Sequence, residues 1–295
     1  MKYKKQDRVE HQQNITKDSV IIGQQEKTEL SFGKTISATI LKTLAVIVVV
    51  VCYSLSMFVQ LFPIRAAKFY ESIGADKVAV SGYEIQYKKT GELKDLYNLI
   101  LKSISVQDNN RIVEYIEIMI NEDDYQDFCD NINQASITVA KLDRVAFVAD
   151  LDSYLKSQLI KAYYYTDKSK AKTFAVEDLC QTENIYSVGL STYIASVMED
   201  KSLTNKVKDS KITQLSQLEQ SGRSILEWVD SRLELVDTTI VTPSSSVDEI
   251  LMVYTSLKLN QIKYNIYKST NEQGLANNVL AEINRLQEVY ESLVG

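Results

Sequence analysis

From Leu44 to Phe62 the chain reads LAVIVVVVCYSLSMFVQLF, 19 residues without one charge. At about 1.5 Å of rise per residue, a helix of that length spans roughly the 30 Å hydrocarbon core of a bilayer. Val and Ile fill its first half, but a strand so long and without alternation is the poorer reading. Lys42 and Arg65 bracket the run, and their long stems allow the charged heads to reach the headgroup layer. One transmembrane helix is therefore expected near residues 43–63, with Leu44 and Phe62 close to its ends. Roughly forty residues precede it, far more than the n-region of a secretory signal, and Arg65 occupies a place in FPIRAA where cleavage requires a small residue. The expectation is an uncleaved anchor in contact with lipid.

Beyond that run the chain is nearly starved of turn formers, with 2 prolines and 9 glycines in 295 residues. Hairpins and βα loops draw heavily on Gly, Pro, Asn and Asp, so an all-β or α/β fold is disfavoured. An all-α fold joined by short turns is expected. The charge is uneven. Residues 1–42 carry eight Lys/Arg and five Asp/Glu, a net +3, and the whole chain is −6, which leaves −9 on the remainder. So acidic a domain repels phosphate backbones, and nucleic acid is not an expected partner. Basic counts immediately flanking the apolar run tie, with Lys27, Lys34 and Lys42 before it and Arg65, Lys68 and Lys77 after it. Counting the whole tail favours a cytoplasmic N-terminus and an extracytoplasmic C-terminal domain.

After Pro63, apolar periods of helical length alternate with short polar turns. Pairs are expected at about 64–73 with 76–89, and about 92–104 with 108–120. Gly91 suits a left-handed cap, and Asp108 and Asp123 stand where N-caps belong. In FYESIGADKVAVSGYEIQY, Tyr70, Gly74, Ala79 and Tyr83 fall at the spacing of an aromatic, a turn glycine, a small alanine and a second aromatic. This stretch resembles a tetratricopeptide-type repeat. A similar turn returns at Gln107, about 33 residues later, with Ile112 where the alanine would stand. The resemblance covers about residues 64–120 and implies stacked helical hairpins that present a concave face to a protein partner.

Further on, residues 135–165 are expected to form one long helix or two shorter ones, ending in the triplet Tyr163, Tyr164 and Tyr165. Three consecutive tyrosines reach all sides of a helix, so these are the candidate partner-contact residues. Another apolar helix is expected at 185–199. Residues Ile212 to Val236 keep helical spacing over about 209–237, and Ser245 or Ser246 is placed to cap a helix starting near Val247. A last helix covers about 274–293. The resulting domain plan is a disordered polar tail (1–36), a transmembrane helix (37–63), a helical-hairpin domain (64–205) and an antiparallel three-helix bundle (206–295).

Little chemistry is marked. The only histidine, His11, lies in the tail, which removes Ser-His-Asp and Cys-His activation and His-based zinc sites from the domain. Of Cys52, Cys129 and Cys180, only the last two could pair outside the apolar run, and separate buried thiols are the expectation. The acids of NEDDYQDFCD (Glu122, Asp123, Asp124, Asp127, Asp130) lack the central glycine and spacing of a calcium loop. They suit the positive end of a helix instead. No catalytic residues, cofactor or metal are expected. The composition, poor in Pro and rich in Lys, Ile and Tyr, resembles that of proteins of AT-rich Gram-positive bacteria. The functional expectation is a membrane-anchored helical scaffold of the cell envelope that binds a protein and has room for self-association. A sensor or signal-relay subunit and a carboxylate-dependent envelope hydrolase are its rivals.

Overall fold

The computed structural model describes residues 40–133, 150–181, 186–236 and 247–294. The chain divides into two compact units, Met1–Phe69 and Tyr70–Gly295. In the first, α1 (Ile40–Leu61) is long and apolar enough to cross a membrane, and none of its most apolar window is buried. Leu44 and Phe62 are both exposed. Phe62 packs on Phe58 with ring centroids 6.0 Å apart, and the Arg65 guanidinium lies 5.6 Å over the Phe62 ring. Pro63 opens α2 (Pro63–Ser72), a position where the missing N–H breaks no helical bond. The expected polar tail lies outside the described residues.

The described residues of the second unit form helices joined by turns, with one minimal hairpin among them. It begins with α3 (Asp76–Thr90), α4 (Leu93–Ser105) and α5 (Asn109–Ile120). Gly91 closes α3 at φ 66°, donating its N–H to the Tyr87 carbonyl. Asp108 caps α5, its side chain accepting from the Arg111 N–H. The turns at Gly74 and Gln107 share one conformation. Gly74 (φ 74°) donates to Glu71 O while Ala75 donates to Tyr70 O, and Gln107 (φ 56°) donates to Ile104 O while Asp108 donates to Ser103 O. This pattern returns the last carbonyls of a helix to hydrogen bonds through one left-handed residue, which glycine adopts most readily. Asn271 (φ 64°) repeats it.

A turn at 121–124 leads into α6 (residues 125–133), so Asp123 sits within the turn and not at a cap. Of the helix expected over 135–165, residues 134–149 lie outside the described residues. Its second half is α7 (Leu151–Thr166), capped by Asp150 through the Ser153 N–H. Asp167 both ends α7 and caps α8 (Lys168–Cys180), and α9 (Gly189–Glu199) follows.

The expected helix at 209–237 is corrected. Helix α10 (Asn205–Ser216) stops, strands β1 (Glu219–Gln220) and β2 (Arg223–Ser224) pair antiparallel, and α11 (Ile225–Leu233) starts afresh. Ser221 (φ 54°) and Gly222 (φ 72°) supply the two positive-φ positions of a tight hairpin turn. Ser224 and Glu227 then form a reciprocal capping box at the start of α11. The chain ends in α12 (Val247–Ser269) and α13 (Gln273–Val294). Residues 245 and 246 lie outside the described residues.

Sequence neighbours pack on one another from α3 through α5, α5 rests on α7, and α7, α8 and α9 pack mutually. Helix α12 contacts α9, α10, α11 and α13. One buried cluster runs from Val80 to Ile266 and so crosses position 205, where a domain boundary was expected. A smaller cluster of Val253, Leu257, Ile283 and Leu286 joins α12 to α13.

Candidate functional site

Three aspartates and a lysine gather where α7 begins. Asp150 precedes the helix, Asp152 and Lys156 lie on its first turns, and Asp178 comes from α8. The local reasons are separate ones. Asp150 is held as the N-cap by its Oδ1, 3.0 Å from the Ser153 N. Asp152 and Lys156 are four residues apart and so face each other, Nζ to Oδ2 at 2.9 Å. From α6, the Tyr125 hydroxyl donates to Asp152 Oδ1 at 2.8 Å.

Asp178 lies deepest, at 3% exposure. Its Oδ2 accepts from the Ser187 hydroxyl at 2.5 Å and from the Gly189 N–H at 3.2 Å. A Cβ on residue 189 would stand 2.5 Å from that same Oδ2 and 2.8 Å from Ile160 Cδ1. Glycine is therefore required for the backbone to reach the carboxylate. Asp178 Oδ1 makes no hydrogen bond, and Lys156 Nζ is 3.9 Å away.

Burial pushes the Asp178 carboxyl above the usual aspartate range, against the hydrogen bond from Ser187 and the charge of Lys156. Asp150 is raised too, first by burial and further by the Asp152 charge, although its cap bond opposes this. At Lys156, burial pulls downward, but Asp152, Asp178 and Asp150 together outweigh it and hold the ammonium above the ordinary lysine value. Burial and the Asp152 charge also raise the Tyr125 hydroxyl. The cluster therefore holds one firm cation among three acids, two of which resist ionisation.

This cluster forms one wall of a cavity of about 870 Å³. Asp130, Asn133, Asp150, Asp152 and Lys156 line it on the polar side, while Tyr125, Phe174 and Tyr186 supply aromatic surface. Asp150 Oδ2 is buried and makes no hydrogen bond. Among the described residues no three His, Cys, Asp or Glu side chains stand close enough to hold a metal ion. What the arrangement offers is a polar, acid-biased recess with one free acceptor.

The tyrosine triplet divides. Tyr163 and Tyr164 are 2% and 1% exposed and belong to the core, so neither is available as a contact residue. Tyr163 donates to Glu117, and Tyr164 donates to Asp200 Oδ2 at 2.9 Å. These bonds satisfy hydroxyls that sit beside an otherwise apolar interior. Tyr165 alone is exposed, at 62%, beside a recess that also involves Lys77, Asn109, Asn110 and Arg111. The thiols are unpaired: Cys129 is buried and pushed up to about 12 by burial, and Cys180 is half-buried. Of the acidic run, Asp130 reaches the cavity while Glu122, Asp123, Asp124 and Asp127 are exposed.

Sequence reasoning missed Asp150, Asp152, Lys156 and Asp178. The signal for Asp150-Leu151-Asp152-Ser153 was a cap motif before an apolar stripe; nothing in the spacing tied Asp178 to it. Comparison with protein-family models, curated proteins and solved structures gives no match.

Proposed function

We propose that this protein is a membrane-anchored helical scaffold whose domain beyond the anchor binds a protein at the cell envelope. The observation that carries this reading is α1, a 22-residue apolar helix with none of its apolar window buried. Exposed apolar surface on that scale marks a membrane or protein contact. Behind it stand successive helices packed on their sequence neighbours, with two left-handed turns of like hydrogen bonding 33 residues apart. That regularity supports a repeat-like array of the tetratricopeptide kind. The +3 tail favours a cytoplasmic N-terminus, with residues 64–295 on the far side. Tyr165 is the partner-contact residue that remains from the triplet.

Protease added to intact spheroplasts should remove the domain and spare the tail, and crosslinking in intact cells should recover one stoichiometric envelope protein joined to residues 64–295. Protection of the domain would reverse the topology, and a clean uncrosslinked monomer would remove the scaffold reading.

A second reading, a carboxylate-dependent envelope hydrolase, draws on the acid-lined cavity. Burial favours a proton on Asp150, the property wanted of a general acid, with Asp152 nearby in sequence and held in place by Tyr125 and Lys156. Release of reducing ends from isolated cell wall by the full chain, abolished in Asp150→Asn, would favour it over the scaffold.

A further inference from the structure

We propose that the cavity at the start of α7 binds a small organic cation, a ligand bearing a primary ammonium or guanidinium group that donates to Asp150 Oδ2. This goes beyond the scaffold reading and does not depend on it. The cavity volume of about 870 Å³ lies within the range of small-molecule sites. Its described lining carries three carboxyl groups, Asp130, Asp150 and Asp152, against one cation, Lys156, so the wall is rich in acceptors.

That cation is already engaged elsewhere. Lys156 Nζ lies 2.9 Å from Asp152 and 3.9 Å from Asp178, and its ion pairs are with these two acids and not with Asp150. Asp150 is fixed by its cap bond, so one oxygen is committed to Ser153 and the other is held at the cavity with no donor. A buried acceptor without a partner is destabilising, and its persistence calls for an explanation.

Asp178 points the same way independently. It is 3% exposed, its Oδ1 is also without a hydrogen bond, and that oxygen is directed at Lys156 on the cavity wall. Two buried carboxylate oxygens, Asp150 Oδ2 and Asp178 Oδ1, therefore lack hydrogen-bond donors, and the cation of the described wall, Lys156, is shared between Asp152 and Asp178. A positively charged group with several N–H bonds supplies what is missing. A hard metal ion does not fit as well, because it takes six or more oxygens and, among the described residues, no group of three His, Cys, Asp or Glu side chains is placed to hold one. Tyr125, Phe174 and Tyr186 add aromatic surface of the kind that attracts organic cations.

The test is calorimetric titration of the full chain in detergent micelles with spermidine, with agmatine, and with magnesium chloride as the inorganic control. Saturable binding of spermidine or agmatine is expected, weakened about tenfold or more in Asp150→Asn. Asparagine caps a helix as well as aspartate does, so this variant keeps the Ser153 bond and should melt at no lower temperature than wild type. Asp123→Asn removes the same charge from an exposed position and should leave binding unchanged. No saturable binding of either amine would overturn the proposal. So would unchanged affinity in Asp150→Asn, an equal loss in Asp123→Asn, or magnesium binding as tightly as the amines.

Discussion

The α4–α5 pair and the α7–α9 group are both interior, yet they are held by opposite chemistry. Leu96, Leu99 and Ile100 of α4 meet Ile112, Ile116 and Met119 of α5 in an apolar layer, with Ser103 bonded back to its own helix at Leu99 O. In the second region, Leu155, Leu159 and Ile160 share the interior with Asp178, Ser153, Ser187 and Ser191. The first region is insensitive to which apolar side chain touches which, within volume limits. The second depends on individual donors, on one glycine and on the protonation of a buried acid. Robust packing and a demanding polar arrangement thus lie in one continuous cluster.

The largest expected effect falls on the apolar side. Ile116 is fully buried, and Ile116→Ala removes its contacts and leaves a cavity. A loss of about 2–5 kcal/mol is expected on denaturant unfolding of the full chain in micelles. A loss below about 1 kcal/mol would mean that α4 and α5 collapse onto the gap, and the contrast between the two regions would weaken.

The contrast sharpens at glycine. Gly189→Ala drives a Cβ into Asp178 Oδ2 and Ile160 Cδ1, and overpacking of this kind destabilises by about 1–3 kcal/mol. Gly274, on the first turn of α13, has open space around its would-be Cβ. Gly274→Ala should instead stabilise by about 0.4–1 kcal/mol by narrowing the unfolded ensemble. Opposite signs for one substitution, read from paired thermal melts, would locate the strictness of the second region at the Asp178 contact. Equal signs would remove it.

How much of this was readable from the chain follows the same division. Helix pairs α2–α3 and α4–α5 were placed within a residue or two, because Gly74, Gly91 and Asp108 act through local backbone geometry and the apolar stripes repeat with the helical period. The 209–237 helix failed for an instructive reason. Its apolar spacing is continuous through Gly222, but Ser221-Gly222 is a turn dipeptide and Ser224-Ile225-Leu226-Glu227 is a capping box. Both signals mark a break that periodicity alone passes over. The tyrosine triplet implied that at least one ring faces outward, and all three stood as candidate contacts because the spacing does not say which ones are buried. Tyr163 and Tyr164 are chosen by Glu117 and Asp200, 46 and 36 residues away. The Asp150–Asp178 cluster was unreadable for the same reason, since its members come from separate helices and meet only once the helices pack.

A smaller effect separates the regions by pH. Asp178 has a folded-state pKa above its unfolded value. Its contribution to stability is therefore complete below the unfolded value near 3.9 and is lost as pH rises through the raised folded value. Facing it are Ser187 and the Gly189 N–H, Lys156 and Asp152 from α7, and Arg232 from α11. In Asp178→Asn this dependence disappears, so wild type should lose stability relative to the variant as pH rises from about 4 to 7. Parallel curves over that window would show that the ion pair with Lys156 compensates the buried charge. No such difference is expected in α4–α5, where no carboxylate is buried.

The smallest stability effect belongs to Tyr165, and its smallness is what makes it informative. Tyr163 and Tyr164 are bound into the core, and truncating either would confound folding with recognition. Tyr165 is 62% exposed, and its ring meets Tyr164 edge-on at 5.8 Å, so Tyr165→Ala should shift stability by less than about 0.5 kcal/mol. If the exposed ring touches a partner, the same substitution should cut crosslinked partner recovery from intact cells severalfold while the melting curve is preserved, because exposed aromatics dominate many protein interfaces. Recovery equal to wild type would move the contact surface away from α7. A fall in both recovery and melting temperature would mean that Tyr165 supports Tyr164, and the triplet would then belong wholly to the packed interior.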